Sequence, residues 1–269
     1  MTDRKTGFAL ALSGALALAV LLVASCRDRG FRTADFNYEE AFLLKKDRGD
    51  ALNIDVHLEY PRSGFEQEVL DGMTRAILSA AFDLEDEPTT VEETCRKYVE
   101  NLKDEYFTEF GNIPDEDEGE MDGDILRSDD FVDWQYSWDD HLNGYFAGSH
   151  NGYRSYIVEY SGYRGGVHPL QGLTAIVLED ATGNPVPEET FFADGYAEGI
   201  SALLKKYLEE EDPEAWGEVL DQNGLCPNGN YAVSESGVTW FFQPFEVAPF
   251  TVGLVSVEVP WDDLAPYLP

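Results

Sequence analysis

Basic residues are scarce in this chain of 269 residues: 18 Lys and Arg stand against 53 Asp and Glu, which gives a formal net charge of −35 at pH 7. An excess of negative charge repels the phosphate backbone of nucleic acids, so we expect no nucleic-acid partner. The same field would attract a cationic partner, and it would weaken as salt is added. Such a charge can also serve solubility alone.

Cysteine is also rare, with three residues in the chain. This number excludes a disulfide-dense secreted scaffold. Two interpretations stay open for Cys95 and Cys226: a disulfide between them, or free thiols. The second suits Cys95 because it lies on the apolar side of a predicted helix, where a buried thiol packs well.

Catalytic and metal-binding motifs are lacking. The chain contains no GxSxG, HExxH, P-loop, CxxC or GxGxxG sequence, and these are the short motifs that indicate hydrolases, metalloproteases and nucleotide-binding enzymes. The histidines do not have the spacing of zinc ligands. We therefore predict no catalytic residue, no cofactor and no metal. The four histidines are His57, His141, His150 and His168.

One acidic stretch, Asp115–Asp124, comes near the ligand spacing of an EF-hand calcium loop. Its first ligand position holds Glu118 rather than Asp, and its last holds Asp129 rather than Glu. A solvated loop is the better interpretation, with calcium binding over 115–129 left open.

The N-terminal 25 residues have the order of an export signal. Arg4 and Lys5 precede the uncharged stretch Phe8–Val23, and Val23-Ala24-Ser25-Cys26 resembles the lipobox that the bacterial lipoprotein signal peptidase reads. The apolar stretch is near the lower length limit for a helix that crosses about 30 Å of hydrocarbon. We therefore expect residues 1–25 to be a signal peptide and Cys26 to carry the lipid anchor.

This expectation sets the location of the chain. Lipid on Cys26 would hold the protein at the membrane surface, extracytoplasmic in the cell envelope. Arg27 rather than Asp follows the anchor, a pattern similar to that of lipoproteins of the outer membrane in diderm organisms.

Hydrophobic periodicity predicts the elements of the first half. Leu52, Ile54, Val56, Leu58 and Tyr60 alternate with polar residues, which is typical of a half-buried strand. Apolar residues recur at helical spacing over 66–82, and again in a second helix. The second helix carries Val91, Cys95, Tyr98, Leu102 and Tyr106 on one stripe.

The second half reads mainly as strands. Strand patterns cover 153–163, 170–178 and 255–259, a helical stripe runs from Phe192 to Tyr207, and residues 231–242 have the pattern of a hairpin. Helices are segregated from runs of strands, which favours an α+β fold with a mainly antiparallel sheet and helices packed on one face. We predict a lipid-anchored tether over 26–50 and two sequential subdomains, an N-terminal α/β subdomain over 51–130 and a C-terminal β-rich subdomain over 131–269.

Two loops stand out because they combine glycine, proline and aromatic residues. The first, 161–169, contains a double glycine, and the second, 243–250, follows an aromatic strand. Aromatic residues at exposed loop tips are typical of binding hot spots, although most aromatic residues are simply core. The candidate ligand-binding residues are Tyr163, Gly165, Gly166, His168, Gln243, Pro244, Phe245, Glu246, Pro249 and Phe250.

These stretches resemble the extracytoplasmic domain shared by the lysozyme-sensing anti-sigma factor RsiV and the N-terminal region of the peptidoglycan deacetylase PdaC. The resemblance covers about 51–266 and rests on Gly165-Gly166-Val167-His168, Thr182-Gly183, Phe191-Phe192 and the segment 243–250. The departures are Val167, where alanine is usual, and Phe245 and Phe250, where tyrosine is usual.

The resemblance implies a noncatalytic envelope module, here as a stand-alone lipoprotein. The ligand that the resemblance implies is a basic protein such as lysozyme, or an envelope glycan such as peptidoglycan. The alternative is an enzyme or enzyme accessory that acts on peptidoglycan or another envelope polysaccharide. Asp133, Asp139 and Asp140 are the carboxylates on which that alternative would be tested.

Overall fold

The computed structural model describes residues 30–45, 49–82, 89–111, 136–220 and 224–269. The expected signal peptide, Cys26, Asp133 and the acidic stretch 115–129 lie outside these residues. None of the helices described is long and apolar enough to cross a membrane.

Eight strands and six α-helices make up the described part of the chain. The first half contains β1 (Arg32–Leu43), β2 (Ala51–Ser63), α1 (Gln67–Phe82), α2 (Val91–Phe110), β3 (Trp138–His150), β4 (Tyr153–Tyr163) and β5 (Leu170–Glu179). The second half contains α3 (Glu188–Phe191), α4 (Tyr196–Glu211), α5 (Pro213–Glu218), β6 (Tyr231–Val233), β7 (Gly237–Phe242), β8 (Val255–Pro260) and α6 (Trp261–Leu264). Short 3₁₀ helices cover Phe250–Val252 and Ala265–Tyr267.

Strands β1 to β5 form one sheet in sequence order. Its pairs are antiparallel except for β2 and β3, which run parallel because α1 and α2 carry the chain back between them. Alternation in β2 places Leu52, Ile54, Val56 and Leu58 at 0–1% exposure against the two helices. The polar residues between them lie on the opposite face.

Strands β6, β7 and β8 form a second, antiparallel sheet. Trp240 and Phe242 of β7 are fully buried, in a core shared with Ile200 and Leu204 of α4. A smaller apolar cluster joins the two sheets where Ala232 and Phe241 pack on Ile157, Leu173 and Ala175. The α+β class with mainly antiparallel sheets and the helices on one face of the first sheet are therefore confirmed.

The predicted tether is wrong over Arg32–Leu43, which pairs with β2 along its whole length. Ala34 and Phe36 are buried in the core, while Asp35 and Asn37 lie on the polar face. Asp35 and Glu39 lie on the polar face of this strand, whereas Glu40 lies on the same face as Ala34 and Phe36. The alternation of its apolar and polar residues is not apparent in the sequence because acidic residues interrupt it.

The predicted boundary at residue 130 does not separate two sheets. Residues Leu52–Leu58 of β2 pair directly with Trp138–Gly144 of β3, so residues on both sides of that boundary form one sheet and one core. The second core begins later in the chain, around α3, α4 and the β6–β8 sheet.

Candidate functional site

The two loops singled out in the sequence lie against each other. The ring of His168, in the loop between β4 and β5, lies with its centroid 4.6 Å from that of Phe250 and 6.4 Å from that of Phe245. The centroids of Phe245 and Phe250 are 5.4 Å apart. The fold therefore brings together candidate residues that are far apart in the sequence.

The β4–β5 loop owes its path to its two glycines. Gly165 and Gly166 have φ angles of 83° and 97°, a region that favours glycine because it has no Cβ. A Cβ at either position would meet nothing within 4 Å, so the requirement is conformation and not space. The hydroxyl of Tyr163 donates to the carbonyl of Gly166 at 2.9 Å and closes the turn.

The loop after β7 is held by two of its polar residues. The side-chain amide of Gln243 accepts from the backbone N–H of Leu173 at 3.1 Å and donates to its carbonyl. The carboxylate of Glu246 accepts from the N–H of Gln243 at 2.7 Å and from the Asn228 side chain at 2.9 Å. Gln243 and Glu246, both predicted as ligand contacts, therefore also position the loop.

Phe245 has an unusual backbone conformation for a bulky residue. Its φ angle is 71°, and its side chain is 67% exposed. Strained backbone persists where surrounding contacts impose it, and it is frequent at binding sites. The flanking Pro244 and Pro249 are half-buried, and Pro249 precedes the 3₁₀ helix that carries Phe250.

Further apolar side chains extend this contact. Val167 is 88% exposed, Leu170 43% and Leu254 38%. Leu254 follows Gly253, where a Cβ would lie 3.8 Å from the side chain of Gln171, and Leu170 precedes Gln171 at the start of β5. We call the whole set the loop surface: Val167, His168, Leu170, Phe245, Phe250 and Leu254. Sequence reasoning missed Leu170 and Leu254, which lie at strand ends and look like ordinary strand residues.

A buried ion pair anchors the start of the β4–β5 loop. Arg164 donates to the fully buried Asp140 at 2.7 Å, and the hydroxyls of Tyr98 and Tyr160 donate to the same carboxylate at 2.6 and 3.1 Å. Burial, together with the negative charge of Asp140, raises the pKa of Tyr160 to about 12. The two tyrosines therefore stay protonated hydrogen-bond donors at neutral pH. No motif in the sequence indicated this network.

Asp139 and Asp140, the two described carboxylates of the enzyme alternative, do not form a pair. Asp140 faces the helices and is fully buried, whereas Asp139 faces the opposite side of the sheet and accepts from Asn53 at 2.9 Å. Successive residues of a strand point to opposite faces, so these two cannot act on one substrate atom. In the ranges described, no group of three or more His, Cys, Asp or Glu is placed to hold a metal ion.

Both described cysteines are free. Cys95 is 1% exposed in the core between α2 and the first sheet, and burial raises the pKa of its thiol to about 12. Cys226 lies in the segment before β6 and is partly exposed. The interpretation as a buried free thiol is therefore the one that describes Cys95.

Comparisons with known proteins find a family match over part of this site. Residues 189–262, which include the loop after β7, match the family described as "Protein of unknown function (DUF3298)". A comparison with curated proteins gives no match.

Eight chains of solved structures match this protein. A DUF3298 family member from Bacteroides fragilis NCTC 9343 is 18% identical with a TM-score of 0.71, over 95% of this chain and 96% of its own. A DUF3298 family protein from Pseudomonas aeruginosa PAO1 is 14% identical with a TM-score of 0.55, over 87% of this chain and 94% of its own. This protein therefore shares the fold of solved DUF3298 proteins and contains a segment that matches the DUF3298 family.

Proposed function

We propose that this protein is a lipid-anchored envelope lipoprotein that binds a basic, lysozyme-like protein through the loop surface. The observation that carries the proposal is the meeting of the two loops, with Phe245 presented to solvent in a strained conformation. Exposed aromatic residues on a preorganised loop are typical anchors of protein–protein contacts.

The charge of the chain supports a cationic ligand. A net charge of −35 steers a basic protein toward the surface and raises the association rate at low salt. The apolar loop surface would then supply the contacts that determine the dissociation rate. Since charge governs association and the loop surface governs dissociation, added salt should weaken binding mainly by lowering the association rate. Truncation of Phe245 should weaken it mainly by raising the dissociation rate.

Calorimetry with lysozyme tests the proposal. At low salt we expect a dissociation constant in the micromolar range or tighter, which becomes weaker as salt is added. Phe245→Ala should weaken it at least about tenfold, because central aromatic hot spots contribute about 2 kcal/mol or more. Phe107→Ala, which removes another exposed aromatic side chain on α2, should leave it unchanged. Absence of heat at low salt would overturn the lysozyme ligand.

The anchor is tested separately on the full chain. Mass spectrometry should find diacylglycerol on Cys26 at the N-terminus after loss of residues 1–25, and Cys26→Ser should abolish both the processing and the membrane retention. An unprocessed N-terminus in the wild type would overturn the lipoprotein assignment.

Two further outcomes would contradict the binding of a basic protein. Release of soluble fragments from purified cell walls, abolished in Asp139→Asn, would support an enzyme instead. Capture of the protein by insoluble peptidoglycan, lost in Phe245→Ala, would make a glycan the ligand of the loop surface.

A further inference from the structure

A polar groove, separate from the loop surface, lies on the face of the five-stranded sheet that points away from α1 and α2. Its volume is about 240 Å³, somewhat below the roughly 300–1,000 Å³ of pockets for drug-sized ligands. It crosses strands β2, β3 and β4 and ends beside the apolar cluster that joins the two sheets, because Glu159 lies opposite Leu173. The groove is lined by Asp55, His57, His141, Leu142, Asn143, Glu159 and Ser161.

The floor of the groove is a chain of hydrogen bonds across four strands. The two ring nitrogens of His57 lie 3.2 Å from Oδ1 of Asp35 and 2.9 Å from Oδ1 of Asn143. The amide nitrogen of Asn143 donates to Glu159 at 3.2 Å, and the hydroxyl of Tyr145 donates to the same carboxylate at 2.9 Å. His57, Asn143 and Glu159 are therefore each held from two sides, so the floor is fixed before a ligand arrives.

The walls retain free hydrogen-bonding capacity. The Asp55 carboxylate is 59% exposed and the His141 ring 49% exposed, with Nδ1 of His141 3.8 Å from Oδ2 of Asp55. In the part of the chain that the structure describes, neither Asp55 nor Ser161 donates or accepts a side-chain hydrogen bond. An acceptor, an imidazole and a hydroxyl thus converge on one space above the fixed floor.

An aromatic residue stands on the same face at one end of the groove. Tyr163 lies opposite Asp139, two residues beyond Ser161 along β4, which is a separation of about 7 Å on one side of a strand. It is half-buried, and its hydroxyl is already occupied by Gly166. Because the hydroxyl is occupied, a ligand would contact Tyr163 through the face of its ring.

The chemistry of the lining selects a class of ligand. Among the described residues, neither lysine nor arginine lines the groove, which disfavours phosphates, sulfates and nucleotides. Six of the seven lining residues carry polar side chains, which an apolar ligand would leave without hydrogen bonds, and no described group of three or more His, Cys, Asp or Glu could hold a metal ion. Sugar hydroxyls both donate and accept, so they match a mixture of carboxylate, imidazole, amide and hydroxyl groups.

We propose that this groove binds a neutral saccharide, at a site distinct from the loop surface. Carboxylate and imidazole groups of the walls hold adjacent hydroxyls of one sugar ring, and Tyr163 packs on its apolar face. The saccharide site does not require the proposed protein ligand, and either can be present without the other.

Nuclear magnetic resonance titration of the full chain with two probes, tetra-N-acetylchitotetraose and cellotetraose, tests this inference. We expect saturable shifts of the ring signals of His57 and His141 with at least one probe at millimolar concentration. Asp55→Asn and Ser161→Ala should each weaken binding, Asp55→Asn by about tenfold because it removes a hydrogen bond to a charged group.

Two control variants distinguish binding in the groove from a general charge effect and from binding at the loop surface. Glu209→Gln removes the same charge from the exposed surface of α4 and should not alter the affinity. Phe245→Ala should leave it unchanged as well, although it weakens lysozyme binding. The inference is overturned by three results: no shifts in the groove with either probe, shifts confined to the loop surface, or equal affinity of Asp55→Asn and the wild type.

Discussion

The guanidinium of Arg164 lies 2.7 Å from Oδ2 of Asp140, a carboxylate that is completely buried beneath the first sheet. Arg164 is the first residue after β4, and the double glycine follows it directly. The ion pair therefore attaches the beginning of the β4–β5 loop to the core through Tyr98 on α2 and Tyr160 on β4. Because Arg164 is fixed, the backbone of this loop is free to change conformation only beyond it, from the double glycine onward.

Removal of the buried carboxylate should destabilise the protein strongly. We expect Asp140→Ala to lower the free energy of unfolding by about 3 kcal/mol, because it leaves a partly buried guanidinium and two hydroxyls without their acceptor. Asp139→Ala, on the open face of the same strand, should cost less than about 1 kcal/mol. Urea denaturation measures both. Equal losses would show that the network contributes no more than a surface hydrogen bond.

Two substitutions at Phe245 should separate strain from binding. Both Phe245→Ala and Phe245→Gly remove the ring and should weaken the binding of lysozyme to the same extent. Because a left-handed conformation costs a residue with a Cβ about 1–2 kcal/mol, the glycine variant should be more stable than the alanine variant by that amount. Thermal denaturation compares the two. A glycine variant less stable than the alanine variant would mean that the backbone at 245 is not strained.

Glu188 should make stability depend on pH. This carboxylate is 4% exposed, and burial raises its pKa above the ordinary 4.5, against the lowering effect of hydrogen bonds from Trp240 and Gly229. The folded protein therefore keeps the proton at a pH where the unfolded chain has lost it. The stabilising contribution is complete below the unfolded value and disappears as pH rises through the folded value.

The pH effect can be isolated with Glu188→Gln. The free energy of unfolding of the wild type, minus that of this variant, should fall as pH rises from 4.5 and become constant above the folded pKa. Urea denaturation at a series of pH values measures the difference. Glu209→Gln, at an exposed position of α4, should give a curve parallel to the wild type. A parallel curve for Glu188→Gln as well would contradict the assigned shift.

Asn230 should protect the edge of the first sheet. Its side chain accepts from the N–H of Ala175 at 2.7 Å and donates to the carbonyls of Leu173 at 2.9 Å and Phe241 at 3.2 Å. We expect Asn230→Ala to cost about 2–3 kcal/mol and to expose the edge of β5 to pairing with other chains. Light scattering at increasing concentration should reveal aggregation, absent in Thr174→Ala on the same strand. A monomeric Asn230→Ala variant would show that other groups suffice to cover the edge.

Local patterns in the sequence were sufficient for most elements. The alternation of β2, the helical stripes of α1 and α2 and the β6–β7 hairpin follow from contacts between residues close in sequence, whose spacing reports which side is buried. The α+β class follows from the order of these elements. Strand β1 was missed because Asp35, Glu39 and Glu40 interrupt its apolar residues and obscure their alternation.

Tertiary structure alone decided how these elements meet. Three contacts join distant segments: the parallel pairing of β2 with β3, the ion pair of Arg164 and Asp140 at a separation of 24 residues, and the ring contact of His168 with Phe250. The spacing of apolar residues in a sequence indicates whether a residue is buried, but it does not indicate which residues it packs against. The sequence contains the residue types of the loop surface and of the polar groove. The pairing of the strands and the packing of the two sheets decide which of these residues lie together.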